Sequence, residues 1–168
     1  MNKRFVPTAY HESAHAVVGI QFGGRITKIS MRPAPEKAFC IEFEDDYSAK
    51  LNRKTLLSRA ITFYAGYEAD KLAGFAGDYL AAGAADDYEK AGALLMLCCE
   101  NKNQFALLQA KVLQSTRNIV SKNWSKISRL AKELQLHGEL PGYKVITSLT
   151  KADKLIQTAL VLEGSDIV

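Results

Sequence analysis

The sequence predicts a mainly α-helical protein with a small β-hairpin, and three observations point there. Apolar residues recur at helical spacing over residues 6–22, 52–73 and most of 86–137. Only two short runs, residues 25–32 and 38–44, read as strands. Turn signals separate these segments, Gly23-Gly24 after the first helix and Pro33 and Pro35 between the strands. At 168 residues the chain is expected to form one domain, 1–168. Residues 1–101 hold the hairpin and most of the chemistry-bearing side chains, and 102–168 form a helical C-terminal region.

Each element has its own warrant. Pro7 suits the first turn of a helix over 6–22, and Ala14, Val17, Val18 and Phe22 give it an apolar face. In the second strand Phe39, Ile41 and Phe43 alternate with Cys40, Glu42 and Glu44, the period of a half-buried strand. The free edge of such a hairpin can either pair with an extended peptide or simply cover the core. Asn52 caps a helix over 52–73, whose apolar face is Leu56, Leu57, Ala60, Ile61 and Tyr64. Residues 74–85, rich in Gly and Ala, read as a loop. A third helix is expected from Asp86, with Glu89 completing a capping pair, to about Glu100. Residues 104–137 form two helices or one bent one, ended by Gly138 and Pro141-Gly142. Residues 145–149 are apolar and of open type, and Thr150 with Asp153 is expected to cap a last helix to about Leu162.

Composition narrows the class of function. Hydrophobic residues make up 48% and charged residues 24%, the balance of an ordinary globular protein. No run reaches the roughly 18 apolar residues that a membrane span requires. The N-terminus lacks the apolar stretch of a signal peptide, so the expected compartment is the cytoplasm, with no membrane partner. Three cysteines, Cys40, Cys98 and Cys99, an odd number with two adjacent, fit a reducing environment and no zinc-ribbon spacing. The net charge of +4 arises in residues 101–168, which hold 10 basic and 5 acidic residues, against 12 and 13 in residues 1–100. No aromatic-basic interleaving accompanies that excess, so it reads as a solvated helical face and no nucleic-acid partner is expected.

His11-Glu12-Ser13-Ala14-His15 is the segment that implies a reaction. Histidines four apart on a helix project from one face and can reach one metal ion, while the intervening glutamate can take a proton from water beside it. A catalytic zinc has three protein ligands and an open position, so the pentad needs one more. The candidates are His137 and the carboxylates Glu68, Asp70, Asp78, Asp86 and Asp87, and spacing alone does not choose among them. The pentad makes the first helix zincin-like, but the longer HExxHxxGxxH pattern is absent, since positions 18 and 21 are Val18 and Gln21.

Several segments, in order over residues 7–143, resemble the metallopeptidase domain of the FtsH family of membrane-bound AAA proteases. Ala9-Tyr10-His11-Glu12-Ser13-Ala14-His15-Ala16-Val17-Val18-Gly19 is similar to that family's A-x-H-E-A-G-H-A-[LV]-V-G helix. Ile26 to Pro33 resembles its K-[VI]-[ST]-I-x-P-R strand and turn. Leu56-Leu57 through Ala65-Gly66-Tyr67-Glu68-Ala69-Asp70 resembles L-L-x-x-I-x-x-x-L-G-G-R-A-A-E, and Gly83-Ala84-Ala85-Asp86-Asp87 resembles G-A-x-N-D. Residues 124–141 resemble a late helix of the family, with Glu139-Leu140 near its closing G-x-E-L. The resemblance implies a Zn²⁺-dependent peptidase with His11, His15 and Asp87 as ligands and Glu12 as the base. It implies a polypeptide substrate, unfolded or with exposed segments, and allows a homo-oligomer. Departures from the pattern are Ala14 for a Gly, Ala65-Gly66-Tyr67 for Gly-Gly-Arg, and Asp86 for an Asn; no ATPase module or membrane anchor accompanies the domain in this sequence. Two other readings keep the metal. One is similar to the ImmA-type metalloproteases, on Glu68 to Ala76, with Glu68 as third ligand. The other is a catalytically silent zinc-binding adaptor. Tyr10, Tyr67 and Tyr88 are the tyrosines that a developing oxyanion would call on.

Overall fold

The structure is a computed structural model and describes residues 5–31, 40–43, 52–75 and 84–150. Helix α1 (Phe5–Gln21) leads into strand β1 (Ile26–Ser30), followed by β2 (Cys40–Phe43), α2 (Arg53–Leu72), α3 (Ala84–Met96), α4 (Lys102–Lys122), α5 (Trp124–His137) and β3 (Glu139–Pro141). A sixth helix, α6, covers residues 142–150, as far as the chain is described. The protein is mainly α with one small antiparallel sheet, as its sequence predicts.

The ends of the helices follow from their residues. Helix α1 stops in a Schellman motif: Gly24 N–H donates to Gly19 O (2.9 Å) and Gly23 N–H to Ile20 O (2.9 Å), with Gly23 at φ 87°. Asn52 caps α2 by accepting from Thr55 N–H at 2.9 Å, and Asn101 caps α4 by accepting from Gln104 N–H at 3.0 Å. Asn123 divides the long helical stretch into α4 and α5, its backbone off the helical region (φ −100°, ψ 11°) and its amide donating to Gln21 and to Ile119 O.

Several boundaries differ from those the sequence suggests. Helix α3 begins at Ala84 rather than Asp86, so Asp86 lies inside the first turn, where it pairs with Lys90 (2.5 Å) instead of capping. It ends at Met96, and residues 97–100 form a turn. Residues 145–149 are helical, with Val145 fully buried and Leu149 nearly so. Thr150 is therefore inside a helix, its hydroxyl donating back to Ile146 O (2.9 Å), and does not begin one. Phe22 is 40% exposed and leaves the apolar face of α1. Asp78, Pro33, Pro35, the course of the chain after Thr150 and the facing of Phe39, Ile41 and Phe43 lie outside what the structure describes.

The sheet has the order β2-β1-β3. Strand β1 pairs antiparallel with β2, Ile29 opposite Ile41 and Ser30 opposite Cys40, with an irregularity between Ile26 and Lys28. The third strand was hidden in sequence behind Pro141-Gly142, which read only as a stop. It pairs with the other side of β1, Ile29 opposite Leu140, and Met31 N–H donates to Gly138 O (2.8 Å) to close the seam. Strand β1 is thus central, and among the described residues the outer strands are β2 and β3.

Two apolar clusters form the core. One joins α1, β1, α5, β3 and α6 through Val17, Val18, Ile29, Ile127, Leu130, Leu134, Leu140 and Val145. The other joins α2, α3 and α4 through Ala60, Tyr64, Ala91, Leu95 and Val112, and Gln109 donates to the buried Tyr64 hydroxyl at 2.9 Å. Helix α1 packs against α2 on one side and α5 on another, with Tyr10 stacked on Trp124 at 5.3 Å between ring centroids.

Two glycines give opposite expectations. A Cβ on Gly142 would collide with Ile26 O and lie 2.9 Å from Ile26 C, both backbone atoms that the sheet holds in place. Gly142→Ala is expected to lower stability by about 1–3 kcal/mol, read as a lower urea midpoint at unchanged slope. A Cβ on Gly92, inside α3, meets nothing nearer than Phe105 Cζ at 4.0 Å. Gly92→Ala is expected to raise stability by about 0.5–1 kcal/mol in the same assay.

Candidate metal centre

Helix α1 is buried over almost its whole length, including its polar residues: His11 is 1% exposed, Glu12 5% and His15 7%. Buried polar side chains need partners, and α2 and α3 supply them to both histidines. His11 Nδ1 donates to Asp70 Oδ2 at 2.9 Å. His15 Nδ1 lies 2.6 Å from Thr62 O. A carbonyl oxygen only accepts, so Nδ1 of His15 carries the hydrogen, and the carboxylate of Asp70 asks the same of His11. With Nδ1 so engaged, each ring in its neutral form turns a lone pair at Nε2 to the opposite side, the arrangement by which outer partners orient metal-binding imidazoles.

The two Nε2 atoms converge on one carboxylate oxygen. Asp87 Oδ2 lies 3.0 Å from His11 Nε2 and 3.0 Å from His15 Nε2. His11, His15 and Asp87 form a group able to hold a metal ion, each offering one ligand atom and all three atoms within 4.8 Å of one another. Asp87 reaches the site from the first turn of α3.

Helix α2 comes this close because of one residue. A Cβ at Gly66 would sit 2.5 Å from His11 Nε2 and 2.6 Å from His15 Nε2. An interior glycine costs a helix about 1 kcal/mol relative to alanine, and here its missing side chain is the space the two imidazoles occupy. That cost was the available sequence signal, a Gly in the middle of an otherwise well-patterned helix. Sequence reasoning also missed Thr62, whose contribution is a backbone carbonyl and leaves no trace in residue type.

The other sequence candidates are placed elsewhere. Asp70 stands behind His11, on Nδ1, and is its positioning partner rather than a third ligand. Glu68 is buried, 3% exposed, but its oxygens engage Arg117 Nε (3.1 Å) and Lys71 Nζ (3.3 Å) on another side of α2. Asp86 is exposed and paired with Lys90. His137 closes α5 and joins no such group among the described residues. Of the tyrosines, Tyr10 packs on Trp124 and Phe75, while Tyr88 packs edge-on against Tyr64 and Tyr67.

Electrostatics match the geometry. Burial alone would push His11 down, but the hydrogen bonds to Asp70 and Asp87 outweigh it and raise its pKa from 6.5 to about 10. For Asp87 burial pushes upward, yet the two imidazoles hold it well below the usual carboxylate range. Glu12 is displaced upward by its burial, with the nearby His15 and His11 pulling partly back.

No family model matches the chain, and no curated protein matches it. Among the described residues no helix is long and apolar enough to cross a membrane.

Two predictions follow from the cradle and its charges. Gly66→Ala is expected to abolish stoichiometric binding of a divalent transition metal while far-UV circular dichroism stays helical; Asp70→Asn should weaken binding about 10–100-fold. Both are read by metal content after gel filtration and by competition with a chromophoric chelator. The second concerns pH. The folded state raises the pKa of His11, so in the metal-free protein this stabilisation is fully present below pH 6.5 and disappears as pH rises through about 10. Metal must displace that proton, so near pH 7–8 binding should release about one proton and its apparent affinity should rise about tenfold per pH unit. Calorimetry in buffers of differing ionisation enthalpy measures both quantities.

Proposed function

We propose that the chain is a zinc-dependent peptidase domain of the FtsH type, acting on unfolded or exposed polypeptide segments. The observation that carries this reading is the tethering of both Nδ1 atoms, by Asp70 and Thr62 O, which leaves two Nε2 atoms and one Asp87 oxygen facing a common point. Two imidazoles and a carboxylate are a donor set suited to catalytic zinc, which leaves a position open for water. Zinc held there would supply Lewis-acid polarisation of the scissile carbonyl and acidification of water.

The protein's own residues do the rest. Asp70 and Thr62 O keep both imidazoles in the tautomer that binds metal. Glu12, one residue from His11 on the same helix, is buried beside the cluster and made more basic by that burial. A carboxylate so tuned can accept a proton from the attacking water and return it to the departing amine at neutral pH. A purely structural zinc has no use for such a base, which favours the enzyme over a silent adaptor. The ImmA-type alternative would need Glu68 at the metal, and the ion pairs of Glu68 with Arg117 and Lys71 argue against it.

Zinc-loaded protein is expected to cleave an unfolded polypeptide such as casein, and a strong chelator should stop it. Glu12→Gln should keep one zinc per chain and lose activity by about 10²-fold or more. Asp87→Asn should lose the zinc, and Glu68→Gln should keep it. Absence of cleavage by the zinc-loaded wild type, or equal cleavage by Glu12→Gln, refutes the peptidase reading; stoichiometric zinc in Asp87→Asn refutes the ligand set.

A further inference from the structure

We propose that Cys98 and Cys99 form a dithiol site that captures trivalent arsenicals, separate from the metal centre and independent of the peptidase reading. The two thiols are consecutive in the turn after α3, both partly exposed and neither in a disulfide. Cys98 N–H donates to Leu95 O (2.9 Å) and Cys99 N–H to Met96 O (3.1 Å). These i→i+3 bonds fix the turn through Leu97 and Cys98 on which the two thiols are carried. Arg53, at the start of α2, holds the turn by donating from Nη1 to Cys98 O at 2.6 Å.

The pair opens into a depression of about 360 Å³ lined by Arg53, Leu56, Leu97, Cys98, Cys99 and Glu100. Both cysteines thus border one open depression that a small arsenic centre can enter. Consecutive Cα atoms lie about 3.8 Å apart, so once one thiol has bound, the second is delivered at high effective concentration. With an organoarsenic oxide, R–As=O, two As–S bonds form and the oxygen leaves as water with the two thiol protons. No electron is transferred, so no oxidant or reductant is required. Asp87 and Cys98 lie near opposite ends of α3, on the order of 15 Å apart along its axis, so capture leaves the metal centre free.

The test is titration of the reduced full-length chain with phenylarsine oxide. One equivalent should remove two of the three titratable thiols and add one phenylarsenic group in native mass spectrometry. Excess dithiothreitol should restore both thiols, whereas the same thiol concentration as mercaptoethanol should not. Cys98→Ser and Cys99→Ser should each abolish this dithiol-specific capture, and Cys40→Ser should retain it. Three thiols still titrating after one equivalent overturns the proposal. Retention in Cys98→Ser or Cys99→Ser, or loss in Cys40→Ser, overturns it too by assigning capture to another pair.

Discussion

Burying helix α1 is the constraint from which the rest of the structure follows. A helix of small and branched apolar residues can be enclosed on nearly every side, but this one carries His11, Glu12, Ser13 and His15 into the interior with it. Leaving such groups without partners would cost several kcal/mol. For the two histidines the fold meets that cost by bringing α2 so close that the backbone carbonyl of Thr62 serves as an acceptor, with Gly66 as the residue that permits the approach. Asp70, one turn further along α2, satisfies His11 from the same side. The polar groups that orient the two histidines are therefore the same ones that allow α1 to be buried.

This solution concentrates negative charge. Asp70, Asp87 and Glu12 all lie at the two imidazoles, in a region largely withdrawn from solvent. In the protein alone, one proton on His11 answers two carboxylates, which is why its pKa stands so far above that of free imidazole. A divalent cation answers the same charge while using the lone pairs that the Nδ1 hydrogen bonds direct outward. Proton and metal would thus be alternative occupants of one electrostatic position. Glu68 shows the contrasting case: equally buried, it is already matched by Arg117 and Lys71 and has no charge left for a metal.

The fold was legible where the local signal was strong. The Gly23 stop, the Asn52 cap and the helical spacing of α2 are properties of a few adjacent residues, and each was readable from sequence. Strand β3 was not, because three residues ending in proline have no period of their own and become a strand only by pairing with β1. The start of α3 was misplaced for a related reason: an aspartate at a helix start reads as a cap, yet the helix begins two residues earlier and Asp86 turns to Lys90. At the site, the pentad declared its own chemistry. The choice among five distant carboxylates needed three dimensions, since the distinction between Asp87, Asp70 and Glu68 is one of facing rather than residue type.

The placement of the centre also explains how chemistry and stability are joined. His11 and His15 belong to the helix at the heart of the first apolar cluster, whereas Asp87 comes from α3, which packs in the second. Helix α2 contributes to both, through Ala65 and Ala69 on one side and Ala60 and Tyr64 on the other. An ion held by all three side chains therefore bridges the two clusters where they meet. Whatever binds only the folded arrangement stabilises it in proportion to its affinity, so metal at this point would stiffen the junction of α1, α2 and α3 as well as furnish its chemistry. Stability cannot account for Glu12, however. Its burial beside His11, His15, Asp70 and Asp87 adds desolvation and further negative charge, and the two imidazoles offset this only in part. Proton transfer, the role proposed for Glu12, would give that cost a purpose.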